Sequence, residues 1–376
     1  QAQGLFRAPP ICTSQRTPFI EVDGVEYLSF SSNDYLGLAS GPSTISAMQS
    51  ASADLGVGSS ASRLVTGTLA AHRGAEAALA AFIGQQDAVL FTSGYAANVG
   101  TLSALAGAED ALFSDALNHA SIIDGARLSR AKTYIYPHCD LNALSNLLAK
   151  HRKEHRRAFI VSESRFSMDG DAPQLADLAQ IASLHDATVY LDEAHSLGID
   201  GPEGRGLAAA AEVQPEVLVG PLGKSFGLSG AFVACSSDIA TVIRHKARSY
   251  VFSTAPSPPI AAAIPTAVHH LRNATEQRRT LARHSELFRR LITEAVQHRS
   301  TEVRGPIQTI RFKTPQQATE TSHALKELGI FVQAIRPPTV PKGTSRLRVV
   351  FSSSHTQEHV RQLASAISQV VSAVDR

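Results

Sequence analysis

The stretch Val217-Leu218-Val219-Gly220-Pro221-Leu222-Gly223-Lys224-Ser225-Phe226-Gly227 decides the reading of this chain. An apolar run of strand character ends in a lysine set among small residues. Most of the other lysines read as solvated surface charges, as in the charged helix faces Arg152-Lys153-Glu154 and Arg244-His245-Lys246. Only Lys224 has an apolar approach and flanking glycines. A partly desolvated amine there has a lowered pKa and becomes a usable nucleophile toward an aldehyde. About thirty residues earlier, Thr188-Val189-Tyr190-Leu191-Asp192-Glu193-Ala194-His195 forms a second apolar strand with an acid and an imidazole at its exit.

A strand-end lysine paired with a strand-end carboxylate suits pyridoxal 5'-phosphate (PLP). The lysine holds the aldehyde as a Schiff base, and the carboxylate keeps the pyridine nitrogen protonated. An aspartate after a strand can also serve only as a helix cap, a reading that weakens once Lys224 is set beside Asp192. A phosphate-binding loop is the sharper rival, since Gly223-Lys224-Ser225 matches its end. That loop requires a glycine five residues before Gly223, where Leu218 stands.

From Gln86 onward apolar runs alternate with helical patterns. Strands are expected at Ala88–Thr92, Ala111–Ser114, Thr133–Tyr136, Ala158–Ser162, at the Asp192 and Lys224 runs, and at Ala231–Cys235. About seven strands with helical crossovers predict an α/β fold with a mainly parallel sheet. In such sheets ligands bind at the strand exits, where Gly94, Asp115, Ser167, Asp192 and Lys224 fall. After Pro256-Ser257-Pro258-Pro259 the texture changes to long helical patterns and short strands, a smaller α+β domain. The expected division is an N-terminal segment 1–40, a cofactor-binding domain 41–260 and a C-terminal domain 261–376. Asp23-Gly24 predicts a hairpin turn. Residues 56–62 read as a flexible, small-residue loop.

With 43% hydrophobic and 18% charged residues and a net charge of +2 over 376 residues, the composition is that of a globular protein. It gives no argument for nucleic acid or an anionic membrane. No apolar run approaches the roughly 20 residues that span a bilayer. Cys12, Cys139 and Cys235 suggest neither a disulfide framework nor a zinc site, so a cytoplasmic compartment is the default. His151 and His155 share metal-ligand spacing on one expected helix face, but their cationic neighbours favour a solvated helix.

Five motifs in order carry a resemblance over nearly the whole chain: Asn33-Asp34-Tyr35-Leu36-Gly37-Leu38, Asn118-His119-Ala120-Ser121, Phe166-Ser167-Met168-Asp169-Gly170-Asp171, Asp192-Glu193-Ala194-His195 and Gly223-Lys224. The chain resembles the α-oxoamine synthases, fold-type-I PLP enzymes. Ile335-Arg336-Pro337-Pro338-Thr339-Val340-Pro341 looks most like the family's biotin-pathway member.

The resemblance implies that Lys224 anchors the cofactor and Asp192 pairs with its pyridine nitrogen. It implies that His195 and Ser167 bond the ring hydroxyl and that His119 stacks on the ring. Gly94 and Tyr95 are implied to hold the phosphate at a helix N-terminus, with Ser253 and Thr254 reaching the phosphate in the partner subunit of a homodimer. Arg348 is implied to clamp the amino-acid carboxylate, with Asn33 and Arg7 also binding substrate. Arg346 lies on the same strand face, and sequence alone can confuse the two arginines. The implied reaction is decarboxylative condensation of L-alanine with pimeloyl-CoA or a pimeloyl carrier protein. Alternatives are a relative using glycine or serine with another acyl thioester, or a catalytically silent paralogue. The chain departs from the family pattern at Pro221, where a serine or threonine is usual, at Ser60 and Ala61, where glycines are common, and at Arg165, where an apolar residue is usual.

Overall fold

The computed structural model describes residues 9–16, 18–301 and 303–374. The chain divides into two compact units. The larger comprises Leu38–Phe166 and Ala172–Ala274; the smaller gathers the segment up to Gly37, Ser167–Asp171 and the chain from Thr275 onward.

The larger unit is built on a seven-stranded sheet: β1 (Asp87–Phe91), β2 (Ala111–Asp115), β3 (Lys132–Tyr136), β4 (Ala158–Glu163), β5 (Ala187–Asp192), β6 (Val217–Pro221) and β7 (Ala231–Cys235). Their spatial order is β1-β7-β6-β5-β4-β2-β3, and only β7 runs antiparallel to its neighbours. Runs such as Ala158–Glu163 and Ala231–Cys235 are buried along their whole length. Strands covered on both faces read as continuous apolar runs, which is why these were visible in the sequence. One face packs Val89, Phe91, Val161, Tyr190, Val219 and Val233 under helices; the other packs Phe113, Ile160 and Leu191. The mainly parallel α/β sheet expected from the sequence is present.

Four helices of this unit matter for the site: α1 (Pro42–Leu55), α2 (Ala70–Ile83), α3 (Gly94–Leu105) and α4 (Ala120–Ser129). Pro42 opens α1, where a missing N–H costs nothing, and Gly84 closes α2 in the left-handed region at φ 83°. The Ser93 hydroxyl caps α3 by accepting the Ala96 N–H at 3.1 Å. Helix Pro258–Asn273 also belongs to this unit, packed on α1 and α2.

The smaller unit holds an antiparallel sheet in the order Ile307–Phe312, Ser345–Val350, Gln333–Ile335, with helices Thr275–Leu291, Pro315–Glu327 and Gln357–Val374. Its second sheet includes the hairpin Phe19–Val22/Val25–Ser29. The turn is at Asp23 and Gly24, both at positive φ (52° and 78°), as a two-residue hairpin loop requires. Among the described residues, no helix is long and apolar enough to cross a membrane.

Candidate functional site

In the larger unit the sheet's strand exits bring Asp192 and Lys224 within electrostatic reach of His119. Asp192 ends β5 and is buried. Its Oδ1 accepts the Ala194 N–H at 2.9 Å, and its Oδ2 accepts the Asn98 Nδ2–H at 2.7 Å. Lys224 stands three residues beyond β6 and is half-buried. His119 precedes α4, with its ring exposed and its Nδ1 accepting the Ser121 N–H at 3.2 Å. Crowding by protein atoms lowers the His119 pKa; the Asp192 charge opposes this and the Lys224 charge adds to it.

Two neighbours, Asn98 and Glu163, escaped the sequence reading. Asn98, buried in α3, donates to both Asp192 Oδ2 and, at 3.0 Å, Ser121 Oγ. The Tyr190 hydroxyl donates to Asn98 Oδ1 at 2.8 Å. Ser121 Oγ in turn lies 2.7 Å from His119 Nδ1, so a hydrogen-bond chain joins Asp192 to the imidazole. Glu163 ends β4 and accepts the His119 N–H at 2.7 Å. Burial, and then the Asp192 charge, push its carboxyl well above the usual range. The only signal for Glu163 was an acid closing an apolar strand; Asn98 had none.

Gly94 and Tyr95 head α3 before its first intrahelical bond, so their amides point out of the helix end. Pro221 packs there: a Cβ on Gly94 would lie 2.9 Å from Pro221 Cγ. The Tyr95 hydroxyl donates to Asp124. His195 is buried in the turn after β5. Ser225, beside Lys224, is buried, and its hydroxyl has no hydrogen-bond partner among the described residues. Thr254 is exposed and bridges antiparallel to Ser62, and Ser253 precedes it half-buried.

The smaller unit brings together Arg348, Asn33 and Ser167. Arg348 donates through Nε to the Ser167 carbonyl at 2.5 Å and through Nη1 and Nη2 to Asn33 Oδ1 at 3.2 Å. Arg346 is committed elsewhere, ion-paired with Asp169, which also takes Arg311 at 2.9 Å. Arg7 lies outside the described residues.

The departures acquire explanations. Arg165 Nη2 donates to both carboxylate oxygens of Asp200 at 3.0 Å, so the polar residue is paired. Ser60 takes φ 58°, the left-handed region that glycine enters without a Cβ penalty. His151 and His155 do not share a helix: the helix Leu141–His151 ends between them, and both rings pack on Tyr134.

The aminotransferase class I and II family matches residues 25–367. Over 370 residues the chain is 43% identical to a protein of Azoarcus sp. (strain BH72) named 8-amino-7-oxononanoate synthase, covering 98% of this chain and 94% of that one. A protein of the same name from Marinobacter nauticus is 42% identical over 369 residues, covering 97% and 93%. Among solved structures, serine palmitoyltransferase of S. paucimobilis with a bound PLP–myriocin aldimine superposes with a TM-score of 0.93 at 30% identity, covering 98% of this chain and 93% of that one. An 8-amino-7-oxononanoate synthase from Francisella tularensis gives 0.79 at 30% identity, covering 92% and 98%. The chain belongs to the aminotransferase class I and II family.

Proposed function

We propose that the chain is a PLP-dependent acyltransferase of the 8-amino-7-oxononanoate synthase type, acting in biotin biosynthesis. It condenses L-alanine with a pimeloyl thioester, releasing CO2, the free thiol and 8-amino-7-oxononanoate. The observation that carries the reading is that the Asp192 and Lys224 charges, at the exits of neighbouring strands, both act on the His119 imidazole. The relatives' names select the branch.

The residues present fit PLP. A half-buried amine, a buried carboxylate, an exposed imidazole ring and an open helix N-terminus supply the donor set. The unpartnered Ser225 hydroxyl is a further donor. When bound, PLP supplies an electron sink for the negative charge left at the alanine Cα.

The chain's own residues do the rest. Lys224 Nζ would anchor the cofactor's aldehyde and is the base that would take the alanine α-proton. Asp192, held by Asn98 and the Ala194 N–H, would keep the pyridine nitrogen protonated. His119 would lie against the ring. His195 and the Ser167 hydroxyl would bond the ring oxygen. The Gly94 and Tyr95 amides would receive the phosphate, with Ser253 and Thr254 serving the phosphate of the partner subunit. Arg348 offers its guanidinium fork, with Asn33, to the alanine carboxylate, and Arg7 joins them.

The larger unit is the PLP-binding domain and the assembly a homodimer. Exposed apolar side chains beside Thr254 and its bridge to Ser62, such as Phe252, Leu64 and Val65, support the latter. A fully active monomer in sedimentation would overturn the dimer. Free cysteines support a reducing cytoplasm. Mass-spectrometric product assays with alanine, glycine and serine against pimeloyl-CoA and a pimeloyl carrier protein test the reaction. Alanine with a pimeloyl donor is expected to give 8-amino-7-oxononanoate; turnover of glycine or serine alone would transfer the chain to another branch.

A further inference from the structure

Two buried polar side chains of α2 have no part in the reaction as described. His72 and Glu76 lie one turn apart on the same face of the helix, and both are buried. Burying an imidazole and a carboxylate is costly unless their bonds are satisfied. The Leu69 N–H donates to His72 Nδ1 at 3.1 Å, so Nε2 carries the proton and donates to the Pro256 carbonyl at 2.8 Å. Glu76 Oε1 accepts from Arg63 Nη2 at 2.9 Å and from the Leu90 N–H of β1 at 3.0 Å.

The two side chains hold two segments that are also joined to each other. His72 grips residues 253–257, and Glu76 grips the loop 56–68 through Arg63. Between the segments, the Ala255 N–H donates to the Ala61 carbonyl at 3.0 Å, Ser59 Oγ donates to the Pro256 carbonyl at 2.6 Å, and Ser62 bridges Thr254. Gly67 lets the loop fold back on itself, since a Cβ there would collide with the Ala61 carbonyl. Ala255 and Pro256 are buried by these contacts, whereas Thr254 beside them is exposed.

Building on the assignment of Thr254 to the phosphate of the partner subunit, we infer that His72 is a positioning residue for the partner's cofactor site, with Glu76 as its second anchor. A hydroxyl on a loose loop loses conformational freedom when it binds; one whose flanking backbone is already clamped loses less. His72 thus acts through Pro256 on a site that is not in its own chain.

Hybrid dimers of two differently tagged chains test this. The pyridoxyl label trapped on Lys224 by borohydride, across a PLP titration, gives the dissociation constant. Lys224→Ala on one chain leaves a single Lys224 site, on the other. With His72→Gln on the Lys224→Ala chain, the remaining site is served by the altered segment, and its PLP dissociation constant should rise roughly tenfold, the loss of one bond to a charged group. With His72→Gln on the chain that keeps Lys224, the constant should match that of the Lys224→Ala hybrid alone. A merely structural role would give the reverse pattern, weakening the site of the altered chain, and would overturn the proposal. Ser59→Ala removes a second bond to the Pro256 carbonyl from a half-buried position and should show the same asymmetry should His72→Gln fail to fold. Thr254→Ala in both placements is the control. If it shows the asymmetry and neither His72→Gln nor Ser59→Ala does, the positioning role falls and the assignment of Thr254 stands. If Thr254→Ala shows none, both fall.

Discussion

Arg346 is ion-paired with buried Asp169, and this pairing separates it from Arg348 two positions along the same strand. Both arginines are buried, and their side chains share a strand face by the period of two. Arg346 already has a carboxylate. Among the described residues, Arg348 bonds neutral oxygens, on Asn33 and the Ser167 backbone, which leaves its charge available for a carboxylate ligand.

Arg348→Lys is therefore expected to raise the Kd for L-alanine, because a point charge replaces a fork. Losing a charge-assisted bond of about 1.5–3 kcal/mol corresponds to roughly 10- to 150-fold. Arg346→Met should instead lower stability, by about 3 kcal/mol or less because Asp169 keeps Arg311, with little change in alanine affinity. Calorimetric titration and thermal melts of both variants check this; an alanine-binding defect in the Arg346 variant alone would reverse the assignment.

Asn98→Ala should disturb the cofactor site without touching a residue of its motifs. It leaves Asp192 Oδ2, the Tyr190 hydroxyl and Ser121 Oγ each short of a bond. One unmet buried polar group costs about 1–3 kcal/mol. We expect a fall in stability of that order with a weaker, spectrally shifted cofactor complex. Wild-type melting and spectra in the variant would show that Asp192 is held by other groups.

The hydroxyl missing at Pro221 is expected to be replaced by that of Ser225. Ser225 Oγ is buried and unpartnered, a costly condition that a bound phosphate or other acceptor would relieve. Ser225→Ala should weaken PLP binding by roughly 1–3 kcal/mol while slightly stabilising the cofactor-free protein. Pro221→Thr should be nearly neutral. PLP dissociation constants of the two variants decide: tightening by Pro221→Thr, with no effect of Ser225→Ala, would mean that the gap is uncompensated.

Acid should destabilise the smaller unit through His355. Its ring is buried, with Nδ1 accepting the Ser352 N–H at 2.9 Å and Nε2 3.0 Å from the Ser29 carbonyl, an arrangement of the neutral form. Burial pushes its pKa down to about 4. The unfolded chain therefore binds this proton first. Its contribution is complete above about pH 6.5 and is lost as pH falls toward 4, a change of about 3 kcal/mol. Denaturant melts across that range should show the slope, and His355→Gln should flatten it; an unchanged slope in the variant would assign the acid sensitivity to other groups.

What was legible in the sequence follows from burial. Strands covered on both faces, such as Ala158–Glu163, carry unbroken apolar runs, and the polar residues closing them had to mark the sheet edge. Asp23-Gly24 was equally legible because few residues accept two successive positive φ values. Asn98 was not, since nothing local says that a mid-helix amide reaches a carboxylate 94 residues away. Arg165 remained unexplained until Asp200, 35 residues on, came into contact. His151 and His155 misled because a spacing of four implies one helix face only while the helix continues, and this one stops at His151.

The central claim is that Lys224 carries the cofactor. Borohydride reduction of the PLP-loaded protein, followed by peptide mapping, tests it most directly. One pyridoxyl label per chain is expected, on Lys224, with neither label nor turnover in Lys224→Ala. A label on any other lysine, or turnover surviving in Lys224→Ala, would contradict it.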